Sequence, residues 1–166
     1  MGAPDAKSRI TIRPFDSARD ARALRQCIIE HQDFHRDLEP SWPAGEPIAA
    51  EYLTYLEQEC SLRHGCILIA HDGQDAAGFV CVVASTRSAA PDDPEPYAWI
   101  QDIFVMPAWR RRGVASLLLA DAERFARAQG ARQLRLGVLD RNPDARTFYE
   151  RHGFREYTHV LTKPLL

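Results

Sequence analysis

The sequence predicts one α/β (α+β) domain built on a mixed sheet with helices on both faces. Three observations predict it. The chain has 166 residues, and one domain usually takes about 100–200. Its hydrophobic spacing reads in the order β-α-α-β-β-β-α-β-α-β-β. A hairpin stretch leads into a single βαβ crossover, which mixes antiparallel and parallel neighbours and should be right-handed.

The elements follow in order. Arg9 to Arg13 alternates Ile10 and Ile12 with polar residues, as a strand does, and Pro14 ends it. Ser17 and Asp20 read as a capping pair for a helix running to about His35. Leu38 to Pro47 holds three prolines and a glycine and reads as a loop. A second helix covers Ile48 to Leu62, with Tyr52, Leu53, Tyr55 and Leu56 at helical spacing. Cys66 to Ala70 and Gly78 to Ser85 form a hairpin around Asp72-Gly73, with a loop longer than a tight turn. Pro91 to Pro96 is an acidic, proline-rich loop. Tyr97 to Met106 is the longest strand, stopped by Pro107. Val114 to Gln129 is a helix with Val114, Leu117, Leu118, Phe125 and Ala126 on one face and Gly130 at its end. Leu134 to Leu139 is a strand, Asn142 to Arg151 a short helix stopped by Gly153, and Phe154 to Leu165 one or two final strands.

Composition narrows the class. The apolar fraction of 45% and charged fraction of 27% are those of a globular domain. No apolar run approaches the ~18 residues that a membrane helix needs. Residues 1–8 are polar, lack an apolar signal core and read as a disordered tail before a domain spanning 9–166. Cys27, Cys60, Cys66 and Cys81 show no C-x-x-C spacing and sit in or beside apolar stretches. They read as free buried thiols of a reducing compartment, which points to the cytoplasm. The net charge of −2 hides a split, with −8 over residues 1–109 and +6 over 110–155. The basic half suits an anionic ligand and the acidic half a cationic one.

The sharpest segment is Val105-Met106-Pro107-Ala108-Trp109-Arg110-Arg111-Arg112-Gly113-Val114-Ala115. A strand ends, a short basic loop follows, and a helix begins. Free N–H groups at a helix start, with the dipole behind them, bind anions. Gly113 would let a phosphate approach the backbone. The pattern lacks the G-x-G-x-x-G of dinucleotide folds and the G-K-[ST] of a P-loop. Arg110 to Ala115 does fit Q/R-x-x-G-x-G/A, and Asn142 to Phe154 fits N-x-x-A-x-x-F-Y-x-x-x-G-F. With these two linked motifs the chain resembles the GNAT superfamily of acyl-CoA-dependent N-acyltransferases. The resemblance is clear over 97–166 and order-consistent over 9–96.

That resemblance implies a mostly antiparallel, twisted sheet of six to seven strands flanked by about four helices. It implies acetyl-CoA as co-substrate and no metal. Backbone groups of Ile103, Phe104 and Val105 would pair with the pantetheine arm, in a strand that the family splays from its neighbour by a bulge. Arg110, Arg111, Arg112, Gly113, Val114, Ala115 and Ser116 would surround the pyrophosphate. Asn142 would bond the cofactor arm, and Arg146 would either reach the phosphates or face solvent. Tyr149 would be the general acid, because a departing thiolate needs a proton and a phenol can give one.

An attacking ammonium must also lose a proton. Where the diamine branch of the family carries Glu then Asp, this chain carries Gln101-Asp102. Strand alternation puts Tyr97, Trp99, Gln101 and Ile103 on one face and Ala98, Ile100, Asp102 and Phe104 on the other. Three sources of a base stay open: Asp102, a water relayed by Gln101, or an acid such as Glu30, Asp33, Asp37 or Glu39. His31 and His35 share a helix face, but without a third ligand they read better as a pocket wall with Trp42, Tyr52 and Tyr55. His64, His71, His152 and His159 belong to no constellation.

The expected partners are acetyl-CoA and a small primary amine, with no nucleic acid and no membrane; lookalike proteins are often homodimers. A sensor that binds acyl-CoA without catalysis, or an acetyltransferase acting on protein termini or lysines, are the competing readings.

Overall fold

The computed structural model describes residues 10–85 and 95–165. The expected tail at 1–8 and most of the loop at 91–96 lie outside these residues. The described chain runs β1 (Ile10–Pro14), α1 (Ser17–Leu38), α2 (Gly45–Leu62), β2 (Cys66–Asp72), β3 (Asp75–Ser85), β4 (Tyr97–Val105), α3 (Val114–Ala128), β5 (Gln133–Leu136) and α4 (Pro143–Arg151). A single 3₁₀ turn, Pro107–Trp109, links β4 to the loop before α3.

The sheet order is β1-β2-β3-β4-β5. The first three pairings are antiparallel and β4 pairs with β5 in parallel, so the sheet is mixed and mostly antiparallel. One face packs on α1 and α2 through Leu24, Ile28, Leu56, Ile69, Phe79 and Phe104. The other packs on α3 through Val80, Val82, Ile100, Val114, Leu118 and Leu119. Leu117, expected on the buried face of α3, is 47% exposed, and Leu119 and Ala122 take that role.

Several boundaries differ from the sequence reading for local reasons. Asp16, not Ser17, caps α1: its Oδ1 accepts from the N–H groups of Ala18 and Arg19 at 3.0 and 3.2 Å. Asp20 is instead a buried partner of Arg13, with contacts of 2.5 and 2.8 Å, and this guanidinium holds its carboxyl well below the usual carboxylate range. Helix α2 starts at Gly45, because Pro47 lies in its first turn, where no N–H is needed. The Gly45 N–H donates to Asp33 Oδ1 at 2.8 Å. A Cβ on Gly45 would sit 2.4 Å from the Ile29 carbonyl oxygen, so only glycine lets α2 start so close to α1. The β2–β3 turn is tight, with Asp72 opposite Asp75; a register shift at Ala70/His71 takes up the extra residue that made the loop read as long.

The expected strands over Phe154–Leu165 do not form. Their residues join no ladder and nearly all are exposed. The sheet therefore has five strands among the described residues, not six or seven. Strand β5 is also shorter than expected and stops at Leu136, before Gly137.

Candidate active site

The site begins with one extra residue in β4. Asp102 pairs with Cys81 and Ile100 with Val82, so Gln101 is bulged against β3. A bulge reverses the alternation of a strand. Ala98 and Ile100 face α3, whereas Phe104 faces α1 and α2, with Ile103 and Val105 now on the α3 side. The regular alternation expected for this strand thus breaks at Gln101. Gln101 and Asp102 both reach the helical layer of α1 and α2.

Asp102 is 8% exposed. The Tyr52 hydroxyl donates to its Oδ2 at 2.8 Å, and His31 Nδ1 lies 3.5 Å from its Oδ1. Burial pushes the Asp102 carboxyl up to about 6, with the Tyr52 hydrogen bond opposing. Burial pushes both His31 and His35 down to about 4, so the rings are neutral near pH 7. The His31 ring centroid is 4.2 Å from that of His35 and 5.1 Å from that of Phe104. Trp42 meets His35 edge-on at 5.1 Å, and Tyr52 and Tyr55 lie 5.6 Å apart. The residues expected to line a pocket thus form two aromatic groups, His31–His35–Trp42 and Tyr52–Tyr55, that meet at Asp102.

Gln101 Nε2 donates to Glu59 Oε2 at 3.1 Å and to the Tyr55 hydroxyl at 3.3 Å. Glu59 also receives Arg63 Nη1 at 3.0 Å. Glu59 is the second acid of the site, and sequence reasoning missed it. The available signal was its spacing from Tyr52 and Tyr55 along α2. Other acids considered as the base have partners elsewhere: Asp33 holds Gly45, Glu30 accepts from Gln26, and Glu39 accepts from Ser41 and faces Arg141.

The second half of the site is a gap between strands. β4 and β5 pair only from Tyr97/Gln133 to Ile100/Leu136. β4 then continues to Val105 while β5 has ended, so the backbone of Gln101 to Val105 has no strand neighbour on that side among the described residues. This is the splay that the sequence could not display. At the gap's end, Gly113 caps α3 with φ 81°, and the first intrahelical bond runs from Leu117 N to Gly113 O at 3.1 Å. The N–H groups of Val114, Ala115 and Ser116 precede it and lack intrahelical acceptors, as at any helix start. Nothing lies within 4 Å of a Cβ position on Gly113, leaving open space for an anion.

The arginines divide their work. Arg111 (φ 63°) and Arg112 are exposed in the loop before α3. Arg110 turns away: its Nε donates to the Val105 carbonyl at 3.1 Å, and its guanidinium lies 5.1 Å from the Phe34 ring centre and 5.3 Å from that of Phe104. Arg146 pairs with Asp140 at 3.2 Å and Glu156 at 2.8 Å, which commits it to carboxylates. Asn142 caps α4, its Oδ1 accepting from Ala145 N at 3.1 Å, which leaves its amide N–H groups for another partner.

Tyr149 on α4 packs edge-to-face with Phe148 and Phe154. Burial pushes its hydroxyl up to about 12, and the negative charge of Asp102 adds to the shift. His152 has a structural task unseen in the sequence. Its Nδ1 donates to the Phe148 carbonyl at 2.8 Å, which fixes Nε2 as the acceptor for the Ser116 hydroxyl at 3.0 Å. The Ser116 side chain thus ties α3 to α4, and its N–H remains at the helix start. All four cysteines are free; burial pushes Cys27 and Cys66 up to about 12.

An open glycine-led helix start, a strand pair that parts and a buried carboxylate bonded to a phenol thus adjoin β4. The model of the acetyltransferase (GNAT) family matches residues 31–154. The chain belongs to that family and is an acetyl-CoA-dependent acyltransferase. It is 29% identical over 139 residues to an aminoglycoside N(6')-acetyltransferase type 1 of Salmonella typhimurium, covering 83% of this chain and 94% of that one. It is 38% identical over 77 residues to the uncharacterized N-acetyltransferase YycN of Bacillus subtilis, spanning 46% of this chain and about half (49%) of that protein. Its fold is similar to that of AAC(6')-Iy in complex with a CoA bisubstrate analog, with TM-score 0.71 and 23% identity over 96% of this chain and 99% of that one. It is also similar to a mutant of the BH1408 protein from Bacillus halodurans, with TM-score 0.80 and 17% identity over 94% and 99% of the two chains. No helix among the described residues is long and apolar enough to cross a membrane.

Proposed function

We propose that the protein transfers acetyl from acetyl-CoA directly to the primary amine of a small cationic molecule, within a ternary complex. The observation that carries this reading is the bulge at Gln101, which brings the Asp102 carboxylate beside the gap between β4 and β5. The 29%-identical relative bears the name of an enzyme acting on aminoglycosides, which are amine-rich small molecules.

The residues present fit the CoA thioester, which supplies the activated acetyl group. The N–H groups of Val114, Ala115 and Ser116 take the pyrophosphate, with Arg111 and Arg112 adding positive field. The open edge of Ile103, Phe104 and Val105 takes the amide-bearing arm by backbone pairing, and the Asn142 amide bonds the arm opposite. Arg110 and Arg146 hold the scaffold and do not bind phosphate. Glu59 and Asp102 attract the ammonium group of the acceptor.

Asp102 is the general base. Near pH 7 it is mostly ionised, and its value of about 6 suits it to accept a proton at that pH. The Tyr52 hydroxyl, bonded to the carboxylate at 2.8 Å, relays the proton. Tyr149 is the general acid: at about 12 it stays protonated until the leaving sulfur demands the proton. Gln101 orients Glu59 and Tyr55 and does not itself take a proton.

The test is release of free thiol from acetyl-CoA across a panel of amines. We expect amine-dependent release that falls by about 10²-fold or more in Tyr149→Phe, within the usual worth of a positioned acid. Acetyl-CoA binding without release under every amine would overturn the enzymatic reading in favour of a sensor. Release unaffected by Tyr149→Phe would remove Tyr149 from the mechanism.

A further inference from the structure

Two thiols face each other beside the site, and acetyl transfer uses neither. Cys60 lies in α2, next in sequence to Glu59. Cys81 lies in β3 opposite Asp102, at the register shift that bulges Gln101. Both belong to the core layer between the sheet and the helices α1 and α2. Both are free, and their sulfurs are 3.6 Å apart.

The two thiols are not equivalent. Cys60 is partly exposed, whereas Cys81 is 0% exposed. The Cys81 S–H donates toward Cys60 Sγ and holds the Cys60 thiol below its usual value, against partial burial and the charges of Glu59 and Glu57. The same contact and burial push Cys81 up. The thiolate is the nucleophilic form of cysteine, so Cys60 is the reactive member of the pair. A reachable, more acidic thiol with a second thiol poised next to it is the arrangement that peroxides oxidise in two steps.

We propose that Cys60 is a site of oxidation by hydroperoxides, and that Cys81 resolves it into an intramolecular disulfide that disables the acceptor side of the site. In the first step the Cys60 sulfur attacks the terminal peroxide oxygen. The O–O bond breaks, Cys60 becomes a sulfenic acid, and the other oxygen leaves as an alcohol or water with the thiol proton. In the second step the Cys81 sulfur attacks Cys60 Sγ. The S–O bond breaks, the S–S bond forms, and the oxygen leaves as water with the Cys81 proton. Two thiols lose two electrons and one peroxide gains them. In a reducing compartment cellular thiols return the pair, so the bond is transient.

The consequence is geometric. A disulfide holds its sulfurs about 2 Å apart, so the pair must close by about 1.5 Å. Helix α2 also carries Tyr52 and Glu59, whose bonds to Asp102 and Gln101 are 2.8 and 3.1 Å long. Drawing α2 against β3 misaligns both. The start of α3 packs on the opposite face of the sheet, so acetyl-CoA binding is kept. Formation of the disulfide stands apart from the acetyl-transfer reading; its effect on turnover rests on that reading.

The test treats the reduced chain with hydrogen peroxide and maps disulfides by mass spectrometry of unreduced digests. Acetylated amine is measured in parallel. We expect a Cys60–Cys81 link within one chain, a fall in kcat/KM for the amine of about tenfold or more, and recovery of both with a thiol reductant. Acetyl-CoA binding by calorimetry should not change. In Cys81→Ala, dimedone should trap a sulfenic acid on Cys60 and no link should form; Cys60→Ser should keep its turnover under peroxide. Four free thiols after peroxide in the unaltered chain would overturn the proposal, and so would a link from Cys60 to Cys66 instead. A mapped Cys60–Cys81 link that leaves turnover unchanged would overturn its effect on the site. A reduced chain that acetylates no amine would sink the acetyl-transfer reading, while the mass map would still decide the disulfide.

Discussion

Replacing Asp102 by Asn should slow the enzyme and stabilise the fold together. The carboxyl is 8% exposed, and burial lifts it from its usual 3.8 to about 6. A raised carboxyl binds its proton more tightly in the folded chain than in the unfolded one. Folding therefore loses stability as pH rises from below about 4 to above about 6. At about 1.4 kcal/mol for each tenfold change in proton affinity, the loss at pH 7 is about 3 kcal/mol. The carboxamide carries no charge and keeps the local bonds. Its oxygen accepts from Tyr52, at 2.8 Å from the atom it replaces, and its N–H₂ faces the neutral His31 Nδ1 across 3.5 Å. Asp102→Asn should then gain up to about 3 kcal/mol at pH 7, a Tm rise of about 6–12 °C for a domain of this size. The gain should vanish below about pH 4, where both side chains are neutral. Turnover should fall by about 10²–10⁴-fold, and the acid limb of kcat/KM near pH 6 should disappear. Paired thermal melts at pH 4 and pH 7, with a pH–rate profile, read all of this. A variant less stable than the parent at pH 7, or a gap that does not change with pH, would refute the reasoning. Asp102 would then be a charge that its neighbours stabilise, not one held in place for chemistry.

Two further predictions bear on the same site. Tyr52→Phe removes the hydrogen bond that lowers Asp102, so the acid limb of kcat/KM should move above about 6, and a pH–rate profile checks the direction. Gly113→Ala forces a side-chain residue to φ 81° with open space around its Cβ; the strain of about 1–2 kcal/mol should appear in the melt, and calorimetry should show acetyl-CoA binding weakened by about tenfold or more.

Most of the element order was legible because periodicity and stop signals are local. Gly130 and Gly153 end their helices as expected. In each case the next residue bonds back to the last turn, Ala131 N to Ala126 O and Phe154 N to Tyr149 O, both at 3.0 Å. The helix start at Gly113 was legible for the same reason. What escaped was set by contacts between distant residues. Glu59 enters the site only because α2 packs over the bulge, and His152 matters only because α4 returns beside the first turn of α3. Arg110 read as a phosphate ligand and Arg146 as either a phosphate ligand or a solvated side chain, yet aromatic rings and carboxylates hold them. The final strands were read from β-propensity, but residues 154–165 pair with neither edge of the sheet.

The bulge explains how one strand serves both reactants. Without the extra residue at Gln101, β4 would keep one alternation throughout, and Asp102 would point with Ala98 and Ile100 into the apolar core of α3. A carboxylate there would lack any polar partner and would stay protonated. With the extra residue, Asp102 turns to Tyr52 and His31, and Ile103 and Val105 fill the α3 side in its place. The same irregularity bends the strand where β5 stops following it, which opens the edge of Ile103, Phe104 and Val105 toward the α3 N-terminus. Base and thioester cleft are thus coupled through a single backbone feature. A change that removes the bulge, such as deleting Gln101, should abolish acetyl transfer by misplacing Asp102 and closing the cleft together.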